Sequence, residues 1–224
     1  MAATRTASSA REYGPDNVFM IKTQEGDLLC TRSDFRGEDD IEFEGNIFKP
    51  WSPATSKLAS VITKGMNVPV NKNSRILYLG AASGTTVSHV SDIAANGIVY
   101  AVEFAPRPAR DLLMKVGERT NVIPILADAR HPEKYPPFID SVDFIFQDVA
   151  QPDQADIAIA NAEKYLNKGG HLIIAIKGRS ISVSEDLETI FDREVSTLEK
   201  RFEIMERISL EPLHHDHIAV LCKY

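Results

Sequence analysis

Five strand-like runs in this chain each end in residues suited to chemistry. The first, Arg75–Leu79, runs into Gly80-Ala81-Ala82-Ser83-Gly84-Thr85-Thr86. Glycine there permits a sharp turn and lets a ligand approach the backbone. The second, Ile98–Phe104, carries Glu103, 23 residues after Gly80. A carboxylate at that spacing can accept hydrogen bonds from both hydroxyls of a ribose. The third, Val122–Leu126, leads to Asp128-Ala129, within reach of an adenine edge. The fourth, Val142–Phe146, delivers Asp148, and the fifth, Leu172–Ile176, delivers Lys177. A carboxylate can draw a proton from a weak nucleophile, and a neighbouring ammonium group can favour the developing negative charge.

These residues need a scaffold that gathers strand ends on one rim. Between the runs lie helical stretches at Thr85–Ala94, Arg107–Glu118 and Ala155–Leu166, the last closed by Lys168-Gly169-Gly170. Ser182 and Glu185 have capping-box spacing and open a helix through about Lys200. Two further strands follow, Phe202–Leu210 and His217–Lys223. Strands alternating with helices predict a mostly parallel seven-stranded sheet covered on both faces, an α/β fold of Rossmann-like type. In such sheets ligands sit beyond the carboxyl ends of the strands.

The first fifty residues differ. Val18–Lys22 and Leu28–Arg32 read as strands joined through Glu25-Gly26, followed by an acidic stretch from Glu38 to Glu44. The expected organisation is a tail over 1–11, a small antiparallel β module over 12–51, and the main domain over 52–224. Ser52-Pro53 reads as a helix start, with Lys57, Leu58, Val61 and Ile62 on that helix and Gly65 ending it.

Composition bounds the function. With 43% hydrophobic and 25% charged residues the chain reads as an ordinary soluble protein, expected in the cytoplasm. No apolar run is long enough to span a bilayer, so no membrane partner is expected. Two cysteines without CxxC spacing argue against a zinc site or a disulfide framework. No metal is expected. The net charge of -7 predicts weak RNA binding by the chain alone.

The glycine turn ranks the cofactors. No Gly-Lys-Thr or Gly-Lys-Ser follows it, which removes a nucleotide triphosphate loop. Ala82 stands where a dinucleotide motif needs the glycine that admits a pyrophosphate. S-adenosylmethionine has no pyrophosphate and remains. Gly80, Ala81, Ala82, Gly84, Thr85, Thr86, Glu103, Phe104, Asp128, Ala129, Asp148 and Gln151 form the candidate cofactor set. Phe104 serves either as an adenine stack or as core.

The runs LYLGAASGTTVSHVSD (Leu77–Asp92), VYAVEF (Val99–Phe104), DARHP (Asp128–Pro132) and DVAQPDQ (Asp148–Gln154) resemble the fibrillarin family. The likeness extends from about Tyr13 to Tyr224. It implies a class I S-adenosylmethionine-dependent methyltransferase fold with a small N-terminal β module, in the archaeal form that lacks a glycine- and arginine-rich leader. The activity it implies is 2'-O-methylation of rRNA and tRNA directed by a C/D-box guide RNA. The partners it implies are a Nop-domain scaffold protein and a kink-turn-binding protein of ribosomal type.

The same resemblance assigns a Lys-Asp-Lys-His tetrad to Lys57, Asp148, Lys177 and His217. It makes Asp148 the base and Lys177 its activating or hydroxyl-orienting partner. Lys57 then positions substrate or shapes the field, and His217 orients the acceptor or a neighbouring side chain. Residue chemistry alone reads Lys57 as surface charge as readily, and leaves His217 ambiguous beside His214, His215 and Asp216. Arg110, Lys115, Arg130, Lys134 and Arg179 form either a basic patch near the rim or scattered charge. Two other functions stay open on the residues: a noncatalytic assembly subunit retaining the fold, and a methyltransferase for another acceptor.

Overall fold

A computed structural model describes residues 6–224. Five strands form the N-terminal module: β1 (Ala7–Glu12), β2 (Val18–Thr23), β3 (Gly26–Arg32), β4 (Ile41–Phe43) and β5 (Asn46–Pro50). All pairings are antiparallel, in the order β1-β2-β3-β5-β4, around Ile21, Ile41 and Phe48. Strand β1 corrects the expected tail over 1–11. Ala7–Glu12 pairs along β2, which would otherwise leave an open edge. Residues 1–5 of that tail lie outside the described residues.

The main domain contains α1 (Lys57–Thr63), β6 (Arg75–Leu79), α2 (Thr85–Ile93), β7 (Ile98–Glu103), α3 (Pro106–Val116), β8 (Val122–Leu126) and β9 (Val142–Gln147). It continues through α4 (Gln154–Tyr165), β10 (Leu166–Lys177), α5 (Gly178–Ile181), α6 (Leu187–Leu198), β11 (Glu203–Ser209) and β12 (His217–Lys223). Its seven strands run in the order β11-β12-β10-β9-β6-β7-β8. Strands β6 to β10 are parallel, and β12 runs antiparallel between β10 and β11. This is the mostly parallel, Rossmann-like arrangement expected from the alternation. Successive residues of β6 face opposite layers, as a strand's period of two requires. Ile76 and Tyr78 pack with α1, α2 and α3, whereas Leu77 and Leu79 pack with α4 and α6.

Three helix boundaries differ from expectation. The first helix starts at Lys57, not at Ser52-Pro53, because Ser56 Oγ accepts from Ala59 N and caps it. Ser182 does accept from Glu185 N, but Arg179 holds the carbonyls of Val183 and Glu185, and the chain bends there. Helix α6 begins only at Leu187, capped by Asp186 through Thr189 N. Lys168-Gly169-Gly170 lies within β10, at an irregularity in its pairing with β9.

The module packs over the far half of α2, toward the amino ends of the strands. Asp92 accepts from Ser33 and Thr31 of the module at 3.0 and 3.1 Å and pairs with buried Arg119, whose guanidinium lies 4.3 Å over the Phe35 ring. Beside them His89 stacks on Trp51 at 4.7 Å, and its Nδ1 meets Thr31 Oγ1 at 2.8 Å. A groove of about 940 Å³ follows this seam and contains none of the strand-end residues singled out above.

Burial, reinforced by the charges of Lys49 and Arg119, holds His89 well below the ordinary histidine pKa. The unfolded chain therefore takes up a proton near pH 6.5 that the folded chain refuses. Stability contributed by neutral His89 is present above about pH 6.5 and falls below it, by at most about 1.4 kcal/mol per pH unit. Urea unfolding between pH 7 and 5 is expected to show this slope. His89→Gln should flatten it, and an unchanged slope in that variant would assign the loss elsewhere.

Candidate active site

The parallel strands deliver the candidate residues to one rim. After β6 the chain turns at Gly80, with φ +85°. A Cβ built there would stand 2.3 Å from the carbonyl oxygen of Asp148, so no larger residue fits without displacing backbone. Asp148 N donates to Leu79 O at 2.9 Å, extending the β6–β9 contact by one residue. Gly84, also left-handed, caps α2 and leaves room for Leu112. Ala81 is buried, whereas Ala82 and Thr85 are exposed along the turn. Ala82 takes a positive φ of 47°, and its N–H donates to Glu103 Oε2 at 2.9 Å.

Glu103 Oε1 accepts from Ala105 N at 2.9 Å, so each oxygen of this buried carboxylate holds one backbone donor. Lone pairs remain for further donors. Phe104 is 58% exposed, which removes its core alternative. Asp128 is gripped by Arg130, with Nη2 to Oδ2 at 2.7 Å, and this hydrogen bond holds its carboxyl below the usual range. Ala129 is buried behind it, while Gln151 sits half-buried in the loop after β9.

Lys57, Asp148 and His217 gather with Lys177 beside β9. Lys57, first residue of α1, places Nζ 2.8 Å from Asp148 Oδ2, with side chains about a quarter exposed. Lys177 and His217 face one another as direct partners across β10 and β12. His217 Nδ1 bonds the carbonyl of His215, a contact that requires its proton on Nδ1. Burial lowers the His217 pKa. The carbonyl and Asp148 oppose this, whereas the charges of Lys57 and Lys177 add to it. The ring is therefore neutral near pH 7, with Nε2 as its acceptor.

Other residues hold this group in place, in roles that the sequence did not assign. Thr86 donates to Ser56 Oγ at 2.9 Å, tying the glycine turn to the cap of the Lys57 helix. Buried Tyr78 hydrogen-bonds Thr86, and burial with nearby Asp148 pushes its pKa up, keeping it a neutral donor. His214 Nε2 meets Pro53 O at 2.9 Å, joining the β11–β12 turn to the turn that precedes α1. Gln154 bonds both main-chain groups of Lys177. Only Ser56 left a trace, as a cap residue before the apolar spacing of Leu58, Val61 and Ile62.

The basic residues are dispersed in their contacts. Arg130 serves Asp128, Arg179 serves the bend after α5, and Lys115 reaches Thr85 Oγ1 at 3.3 Å. Among the described residues no group of three or more His, Cys, Asp and Glu side chains is placed to hold a metal ion. His214 and His215 have separate protein partners.

The chain matches Fibrillarin across residues 10–224. It belongs to the fibrillarin family. The fibrillarin-like rRNA/tRNA 2'-O-methyltransferase of Methanosarcina acetivorans is 50% identical over 191 residues, 84% of each chain. A solved fibrillarin of Aeropyrum pernix with natively bound S-adenosyl-L-methionine superposes with a TM-score of 0.85 at 39% identity, covering 96% of this chain and 99% of that one. A solved fibrillarin/Nop5p complex matches at 0.86 and 41%, covering 94% and 99%. In this fibrillarin-family chain the glycine turn is the tightest element of the site. Gly80→Ala is expected to cost roughly 1–3 kcal/mol of stability, from the left-handed backbone and the overlap with Asp148. It should also weaken S-adenosylmethionine binding by titration calorimetry. Unchanged affinity and melting temperature would show that the turn tolerates a methyl group.

Proposed function

We propose that this protein transfers the methyl group of S-adenosylmethionine to ribose 2'-hydroxyls of rRNA and tRNA, at positions chosen by a C/D-box guide RNA. The observation that carries the reading is the Lys57–Asp148 ion pair, locked against the glycine turn and bordered by Lys177 and neutral His217.

The chain's residues suit the cofactor. The buried Glu103 carboxylate keeps free lone pairs for ribose hydroxyls, and the exposed Phe104 ring offers an apolar face to adenine. The turn from Gly80 to Thr86, with Asp128, Ala129 and Gln151, completes the cofactor surface. When bound, S-adenosylmethionine supplies an electrophilic methyl group on a sulfonium.

A ribose hydroxyl is a weak nucleophile near neutral pH. Its proton becomes strongly acidic as the new bond to carbon forms, so a carboxylate can take it. Asp148 accepts that proton and passes it to solvent. Lys57 fixes the Asp148 rotamer. Lys177 orients the hydroxyl toward the methyl group and Asp148. His217, with Nδ1 engaged, offers Nε2 to orient the hydroxyl or the Lys177 ammonium.

The net charge of -7 requires partners to supply much of the RNA affinity. A Nop-domain scaffold is the first, as in the fibrillarin/Nop5p complex. A kink-turn-binding protein of ribosomal type and the guide RNA complete the particle, working in the cytoplasm. Among the described residues no helix is long and apolar enough to cross a membrane.

The test is methyl transfer from labelled S-adenosylmethionine to a guide-matched RNA, with the modified position mapped. The assembled complex is expected to methylate one 2'-hydroxyl, and the chain alone little. Asp148→Ala should lower the rate by about 10²–10⁴-fold. Absence of transfer in an assembled, cofactor-bound complex would overturn the reading.

A further inference from the structure

Strand β9 ends at Gln147, whose partner on β10 is Ile174. Strand β10 runs on to Lys177. Across this overhang one edge of β10 is still covered by β12, with Lys177 opposite His217. The other edge has lost its neighbour. His217 turns its carbonyl away, to Leu210 N at 3.0 Å, so β12 does not serve the Lys177 main chain. Left so, the Lys177 N–H and C=O would have no strand to bond.

A glutamine side chain fills the gap. Gln154 Oε1 accepts from Lys177 N at 2.9 Å, and its Nε2 donates to Lys177 O at 3.1 Å. A carboxamide carries the donor and acceptor of a peptide group, so it continues the ladder where the strand stops. Gln154 is fully buried and is itself held twice. Its carbonyl accepts from Gln147 Nε2 at 2.7 Å, and the next amide, Ala155 N, donates to Glu194 Oε2 at 3.0 Å. The Gln147 contact closes the loop 148–153, which carries Asp148.

We propose that Gln154 is a positioning residue for methyl transfer, its carboxamide standing in for a β-strand that fixes Lys177 relative to the Asp148 loop. The inference rests on the methyl-transfer reading. Gln154 is buried, and both ends of its carboxamide are taken up by the Lys177 main chain. It acts through the Lys177 main chain, and a misplacement of about 1 Å in a reacting group costs on the order of 10²-fold in rate.

The experiment uses the complete guide-RNA complex with wild type, Gln154→Leu and Gln154→Glu. Single-turnover transfer, S-adenosylmethionine affinity and amide exchange at Lys177 are measured between pH 5.5 and 8. Gln154→Leu is expected to slow transfer by roughly 10- to 100-fold with affinity unchanged within about twofold. Its Lys177 amide should exchange faster. Gln154→Glu recovers the missing donor only when its carboxyl is protonated, so its rate relative to wild type should rise as pH falls. A wild-type rate in Gln154→Leu, a parallel loss of affinity and rate, or a flat Gln154→Glu ratio would each overturn the proposal. If the wild-type complex transfers nothing, the functional reading fails. Lys177 exchange then still reports the hydrogen bond without turnover, and unchanged exchange in Gln154→Leu overturns the positioning role independently.

Discussion

The exits of β6 and β9 touch backbone to backbone, and the site is built on that contact. At Gly80 there is no space for even one carbon beyond the main chain, because the Asp148 carbonyl occupies it. The turn expected to hold the cofactor and the loop bearing the acid are therefore one mechanical unit. Lys57 joins it through its ion pair, and the Tyr78–Thr86–Ser56 hydroxyls join the cap of its helix to the same turn. A shift in the turn is transmitted to the carboxylate and the ammonium together.

Two ion pairs in this chain show how burial divides labour. Asp92 and Arg119 have side chains only 2–3% exposed and are surrounded by module hydroxyls. Removing either partner strands a charge in the interior, which is costly. That pair belongs to assembly. Lys57 and Asp148, at 21% and 27%, keep contact with water. A pair with that access to water can exchange its partners as substrate arrives without stranding a charge in the interior. Accessibility, not strength, fits the rim pair for chemistry.

The sheet was legible in the sequence because parallel strands buried on both faces leave continuous apolar runs, and each run ends where a loop must turn. That logic placed Glu103, Asp128, Asp148 and Lys177 on one rim. It gave no warrant for Lys57, which reads as surface charge until Asp148, 91 residues away, is found beside it. The parts played by Gln154, Tyr78 and His214 were illegible for a related reason. Their roles lie in hydrogen bonds to segments distant in the chain, and no local pattern encodes such a partner. The helix starts failed differently. Ser52-Pro53 and Ser182-Glu185 are sound local signals, but neighbouring Ser56 and Asp186 make the caps, and Arg179 stabilises the bend that separates Ser182 from α6.

The module's position carries an electrical consequence. Residues 6–51 hold ten acidic side chains against five basic ones. They sit toward the amino ends of the strands, whereas Lys57 and Lys177 lie at the opposite rim. The module's surplus of negative charge is thus remote from the rim. A polyanion at the rim meets less repulsion from the module than one beside the module itself. That difference fades with added salt, as the screening length shrinks to about 3 Å at 1 M.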